Sequence, residues 1–161
     1  MIIVSDTSPL INLAAVGQLD LLRQLYDRVI IPQAIYDEIV IAGAGQPGAA
    51  EVKTASWIET RRVQNQALAD VLKLELDRGE AEAVALALEL KADLLLIDER
   101  KGRAIATRLG LVYIGLLGAL VEAKRCGLIP AVKPIVDNLI AKAGFWINVD
   151  LYQRVLQSVA E

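Results

Sequence analysis

Two short apolar runs, each stopped by an aspartate, constrain this chain more than any other feature: Ile2 to Ser5 ends at Asp6, and Asp93 to Ile97 ends at Asp98. Runs of this length without polar alternation suit strands buried on both faces, the kind found in a parallel sheet covered by helices. The intervening sequence supplies the helices. Thr7-Ser8-Pro9 is a helix-start signal, followed by apolar segments over Leu10 to Ala15 and Leu19 to Tyr26 that break near Gly17. A second β-branched run, Arg28 to Ile31, closes at Pro32, which is placed to open a helix through Ile35, Ile39 and Val40 that carries Glu38. Trp57 to Val63 reads as extended. Gly79 to Lys91 is an alanine-rich helix former opened by acids. A helix to Leu109, a strand over Leu111 to Ile114 and helices near 116–126, 130–143 and 149–160 complete the pattern. Strands alternating with helices predict an α/β protein, a three-layer sandwich around a central, mostly parallel sheet. At 161 residues it forms one domain, 1–161, with its C-terminal helices beginning about 130.

Composition removes whole classes of chemistry. There is no histidine and a single cysteine, Cys126, so His/Cys zinc sites, Ser-His-Asp and Cys-His nucleophiles and imidazole-dependent ribonucleases are excluded. Disulfides within the chain are impossible, and Cys126 reads as a small core residue suited to a reducing cytoplasm. The longest uncharged run, Leu109 to Val121, is shorter than the ~18 residues of a membrane span, and no basic segment with an apolar signal core opens the sequence. The expectation is a cytoplasmic protein without a membrane partner. A net charge of −3 argues against binding nucleic acid through a broad basic face, and 4% aromatic content argues against a stacking-based binder of single strands. Residues 43–50 spell G-x-G-x-x-G, but a helix rather than a strand is expected before them, so they read as a helix-ending loop.

What remains is carboxylate chemistry. Function in open α/β sheets collects at the carboxyl ends of strands, where Asp6 and Asp98 stand. Each alone can serve as a helix cap, but neighbouring parallel strands would bring the two together, and a shared hard cation relieves their repulsion. Glu80 and Glu82 open the alanine-rich helix, where acids complement the dipole and can also join such a site. Glu38 reads at face value as a solvated helix acid. Oxygen-only ligands suit Mg²⁺ or Mn²⁺, ions that typically serve phosphate chemistry.

Four segments then carry a resemblance: Ser-Asp-Thr-Ser-Pro-Leu-Ile at 5–11, Ile-Pro-x-x-Ile-Tyr-x-Glu-Ile at 31–39, Gly-Glu-Ala-Glu-Ala at 79–83 and Leu-Leu-Ile-Asp-Glu-Arg-Lys-Gly-Arg at 95–103. In this order they resemble the PIN domain family, in its prokaryotic branch of nucleic-acid-binding proteins close to the VapC-type toxins. The resemblance covers about residues 1–128. It implies a metal-dependent ribonuclease in which Asp6, Glu38, Glu82 and Asp98 are catalytic and, with Glu80, hold Mg²⁺ or Mn²⁺ that activates water for attack on an RNA phosphodiester. Either Glu80 or Glu82 matches the family's third acid. Thr7 and Ser8 would orient bound water, and Arg100, Lys101 and Arg103 could contact the RNA backbone. The implied partners are RNA, a small antitoxin protein and a second copy of the chain. Two departures stand out: paired glutamates replace the usual aspartate followed by Ile-Ala, and Asp98 occupies about the place of a strand-end threonine. A non-catalytic PIN-like module that binds nucleic acid or protein is the alternative. A haloacid-dehalogenase-like phosphatase would need a second aspartate where Ser8 stands. Phe145-Trp146-Ile147 and the C-terminal helices lie outside the motifs and read as packing or dimer surface.

Overall fold

The computed structural model describes residues 1–161. Five parallel strands form one sheet: β1 (Ile3–Ser5), β2 (Val29–Pro32), β3 (Ile58–Arg61), β4 (Leu94–Leu96) and β5 (Tyr113–Ile114), in the order β3-β2-β1-β4-β5. Ten α-helices surround it: α1 (Thr7–Ala15), α2 (Asp20–Tyr26), α3 (Gln33–Tyr36), α4 (Ala49–Thr54), α5 (Gln66–Leu72), α6 (Arg78–Glu89), α7 (Arg100–Arg108), α8 (Leu116–Arg125), α9 (Lys133–Lys142) and α10 (Val149–Ser158). The α/β fold expected from the sequence is the fold observed, with a sheet that is parallel throughout. β1 sits at the centre, flanked by the chain's two wings, and its residues are buried on both faces as an uninterrupted apolar run requires.

The register places Ser5 opposite Leu96, and the Asp6 amide donates to the Leu96 carbonyl at 2.8 Å. α6 packs across β1, β2 and β4 and against α3, α5 and α7. Ala81, Ala83, Val84, Ala85, Leu86 and Ala87 are all fully buried, so this helix is apolar around most of its circumference and acts as an inner element of the core. Its small side chains let the helix lie close to the sheet.

Three local readings need correction. Cys126 is exposed at the end of α8 rather than buried in the core. α5 was not legible in the sequence, because its polar start at Gln66 hides a helix held by the Asn65 side chain, which accepts from the Leu68 amide. α3 does not continue as a regular α-helix through Glu38; Asp37–Ala42 forms a π-helical turn, and α4 begins inside the stretch read as loop.

The C-terminal helices are tied back by one side chain. The Glu161 carboxylate accepts from the Val132 and Lys133 amides at 2.7 and 2.9 Å and from Lys124 Nζ at 3.0 Å, capping α9, whose own N-cap residue Val132 offers no acceptor. Glu161→Ala leaves those amides without a protein acceptor, an expected loss of about 1–2 kcal/mol that appears as a melting temperature lower by a few degrees.

Candidate active site

The carboxyl edge of the sheet carries a pocket of about 180 Å³ whose wall holds five acids: Asp6, Glu38, Asp77, Glu80 and Glu99. Each comes from a different turn of backbone. Asp6 is the residue between β1 and α1, and only 4% of it is exposed. Glu38 is presented by the π-helical turn, and its Oε2 accepts from Thr7 Oγ1 on the first turn of α1. Such turns are often found where a helix must aim a functional side chain. Asp77 is the N-cap of α6, accepting from the Glu80 amide at 2.8 Å, and Glu99 is the N-cap residue of α7. Thr7 and Ser8 add hydroxyls to the same wall.

Packing these acids together changes their proton affinity. Burial pushes the Asp6 carboxyl up to about 7, and the charges of Asp77, Glu38 and Glu99 add to the rise. Burial pushes Glu80 up to about 8, helped by its hydrogen bond to Asp77 and by the charges of Asp77, Asp6 and Glu99. The ten ion pairs of the chain include none of the five. A pocket of this kind either keeps protons near neutral pH or takes a cation.

A family model for the PIN domain matches residues 2–161. The chain belongs to the PIN-domain family. PIN is a nuclease-type fold, and the match runs through α9 and α10, beyond the residues near 128 where the sequence motifs end. No curated relative matches the chain. No helix of this PIN domain is long and apolar enough to cross a membrane.

Of the acids expected from the sequence, the structure brings Asp6, Glu38 and Glu80 to one pocket and places the other two elsewhere. Glu82 faces away. Its Oε1 accepts from the Ala34 amide in the first turn of α3 at 3.2 Å, and its Oε2 lies 3.4 Å from Arg78 Nε. Residues two apart on a helix point in nearly opposite directions, so Glu80 and Glu82 cannot serve the same pocket. Asp98 is also turned aside. Its Oδ1 accepts from the Leu116 amide at 2.9 Å and from Arg103 Nη2 at 3.2 Å, at the start of α8. Arg103 in turn donates from Nε to the Ile97 carbonyl at 3.0 Å, so it is held by the protein, whereas Arg100 and Lys101 are exposed beside Glu99. Asp77 and Glu99 were missed. The signal for Asp77 was its place just before the Gly79 helix, an N-cap position, and Glu99 was masked by the more conspicuous Asp98.

The donor set fits a divalent cation: it is all oxygen, anionic and without imidazole or thiolate, the ligands that Mg²⁺ and Mn²⁺ favour. The acids line the pocket without any three closing into a finished ligand cage. Gly79 keeps space for this set, since a Cβ there would lie 3.1 Å from Glu38 Oε2. Gly79→Ala is expected to displace that carboxylate and weaken Mn²⁺ binding several-fold in a calorimetric titration, with the melting temperature of the metal-free protein within a few degrees of wild type.

Proposed function

We propose that this PIN domain is a Mg²⁺- or Mn²⁺-dependent endoribonuclease that hydrolyses RNA phosphodiester bonds at the Asp6 pocket. The observation that carries the reading is the gathering of five acids without a basic partner at the carboxyl edge of a parallel sheet, two of them with proton affinities raised to near neutrality. Asp6, Glu38 and Glu80 are the side chains that would hold the cation, with Asp77 and Glu99 completing the charge around it. A bound ion supplies activation of water and neutralisation of charge on the phosphate.

The chain's own residues do the rest. The Thr7 hydroxyl fixes the Glu38 carboxylate, and Asp77 orients Glu80 through the backbone of the α6 first turn. With no histidine in the chain, proton transfer falls to carboxylates, and the raised affinity of Asp6 and Glu80 suits groups that exchange protons near pH 7. Arg100 and Lys101, exposed on the first turn of α7 beside Glu99, are placed to meet the phosphates flanking the pocket. The four motif segments support a further step: a cytoplasmic toxin of the VapC type, restrained by a small antitoxin protein and working as a homodimer.

Mixed single-stranded RNA incubated with the protein tests this reading. Cleavage is expected with Mg²⁺ or Mn²⁺, to be abolished by chelator, and to fall by orders of magnitude in Glu38→Gln. Cleavage that survives chelation defeats the metal mechanism, and a protein that cuts no RNA under any condition is the non-catalytic module instead.

A further inference from the structure

The groove on the other side of the α7 N-terminus has no role in the chemistry above. It encloses about 530 Å³ between the end of β5, the start of α8 and the segment leading into α10. Tyr113, Phe145 and Trp146 line it, three of only seven aromatic residues in the chain, and Trp146 is 81% exposed. A sequence this poor in aromatics offers few stacking surfaces, and the fold collects almost half of them here. The polar end of the groove is as specific as its apolar wall. The Arg103 guanidinium lies over the Tyr113 ring, 5.4 Å from its centre, and is paired with Asp98. Asp98 spends Oδ1 on Leu116 and Arg103 while its Oδ2 is enclosed without any hydrogen-bond partner. A carboxylate oxygen removed from water normally has a donor, so this one marks a position where a donor is missing. Gly115 is required for the arrangement, since a Cβ there would run into the Arg103 guanidinium and come within 2.6 Å of Asp98 Oδ1.

We infer that this groove is a nucleobase subsite, taking one base of the RNA strand whose phosphate lies over the Asp6 pocket and favouring guanine. The inference rests on the nuclease reading for its substrate. Two facts join the sites: Asp98 lines the groove while the next residue, Glu99, lines the acidic pocket, so one wall separates phosphate from base. The aromatic surfaces accept any base by stacking. The carboxylate selects. Guanine presents adjacent N1–H and N2–H donors to an acceptor, which uracil cannot match with its single N3–H between two carbonyls. Ligand entry requires only a small shift of the Asp98 side chain, already at the groove wall.

Trp146 emission reports occupancy without any cleavage, in a Trp57→Phe background whose folding is checked by its melting curve and with chelator present. GMP and UMP are titrated separately. Saturable quenching is expected with GMP at an affinity at least about tenfold above UMP, and Asp98→Asn, which keeps an acceptor for Leu116 but turns the orphan oxygen into a donor, is expected to erase that preference. Tyr113→Ala should weaken both nucleotides. Absence of saturable quenching, or a GMP preference unchanged in Asp98→Asn, overturns the subsite. A Trp146 emission that shifts with protein concentration and ignores nucleotides makes the groove a protein-docking face, which also overturns it. The two readings separate cleanly: RNA cleavage without nucleotide binding leaves the nuclease and removes the base site, and nucleotide binding without cleavage does the reverse.

Discussion

Asp6→Asn is expected to raise the melting temperature of the metal-free protein above pH 7 and to abolish its response to Mn²⁺. The Asp6 carboxyl is pushed up to about 7 in the fold from an ordinary value of 3.8, so the folded state holds the proton more tightly than the unfolded chain does. The metal-free protein therefore loses stability as pH rises from about 4 to about 7, and the loss is complete above that window. Its ceiling is on the order of 4 kcal/mol, the free energy equivalent of that difference in proton affinity. Asparagine, which cannot ionise, escapes the loss, and its advantage over wild type should shrink as pH falls towards 4. In wild type a cation offsets the same repulsion, adding about 2.7 kcal/mol at a hundredfold excess over its dissociation constant. Melting curves at several pH values, with and without Mn²⁺, test both halves. An equal Mn²⁺ shift in wild type and Asp6→Asn would mean that the ion binds elsewhere.

Glu80 and Glu82 should separate by opposite phenotypes. Glu80→Gln is expected to fold normally and to lose cation binding and RNA cleavage, because its side chain belongs to the pocket and carries no structural contact to a distant element. Glu82→Ala removes the acceptor for the buried Ala34 amide and leaves a void between α6 and α3. Its expected cost is roughly 2–4 kcal/mol, a melting temperature lower by about 5–15 °C, with cation binding retained at temperatures where the variant is folded. A Glu82→Ala protein that is as stable as wild type but blind to Mn²⁺ would return Glu82 to the site.

The fold was legible because its strands are short apolar runs ending in turn signals, and burial on both faces leaves no other reading for Ile3 to Ser5 or Leu94 to Leu96. Helix α5 was not legible, because its stabilising cap lies in a polar segment that resembles a loop. In the site, sequence position told which strand ends matter but not which way a residue turns there. Ser5 is paired with Leu96, so Asp6 is level with Ile97, and Asp98 lies one residue beyond. Successive side chains in extended chain alternate sides, and that single step sends Asp98 to the α8 side of the sheet edge while Asp6 faces the acidic pocket. The same kind of arithmetic on a helix separates Glu80 from Glu82. Glu38 depended on the family resemblance, since the π-helical turn that aims it left no mark in the spacing of apolar residues.

The central position of β1 also dictates when this pocket can come into being as the protein is synthesised. β1 pairs on one side with β2, close behind it in the chain, but on the other side with β4, and the contact between Ile2 and Asp93 spans 91 positions. Until the ribosome has extruded β4 and the start of α7, Asp6 has no Leu96 carbonyl to hold its amide and no Glu99 opposite it. A nascent chain thus carries its first acid for most of its elongation without the groups that would make it active. An open edge on β1 during that interval invites pairing with other chains, a hazard that grows with the sequence distance between partner strands. Slow elongation before residue 94 should therefore favour aggregation over premature catalysis.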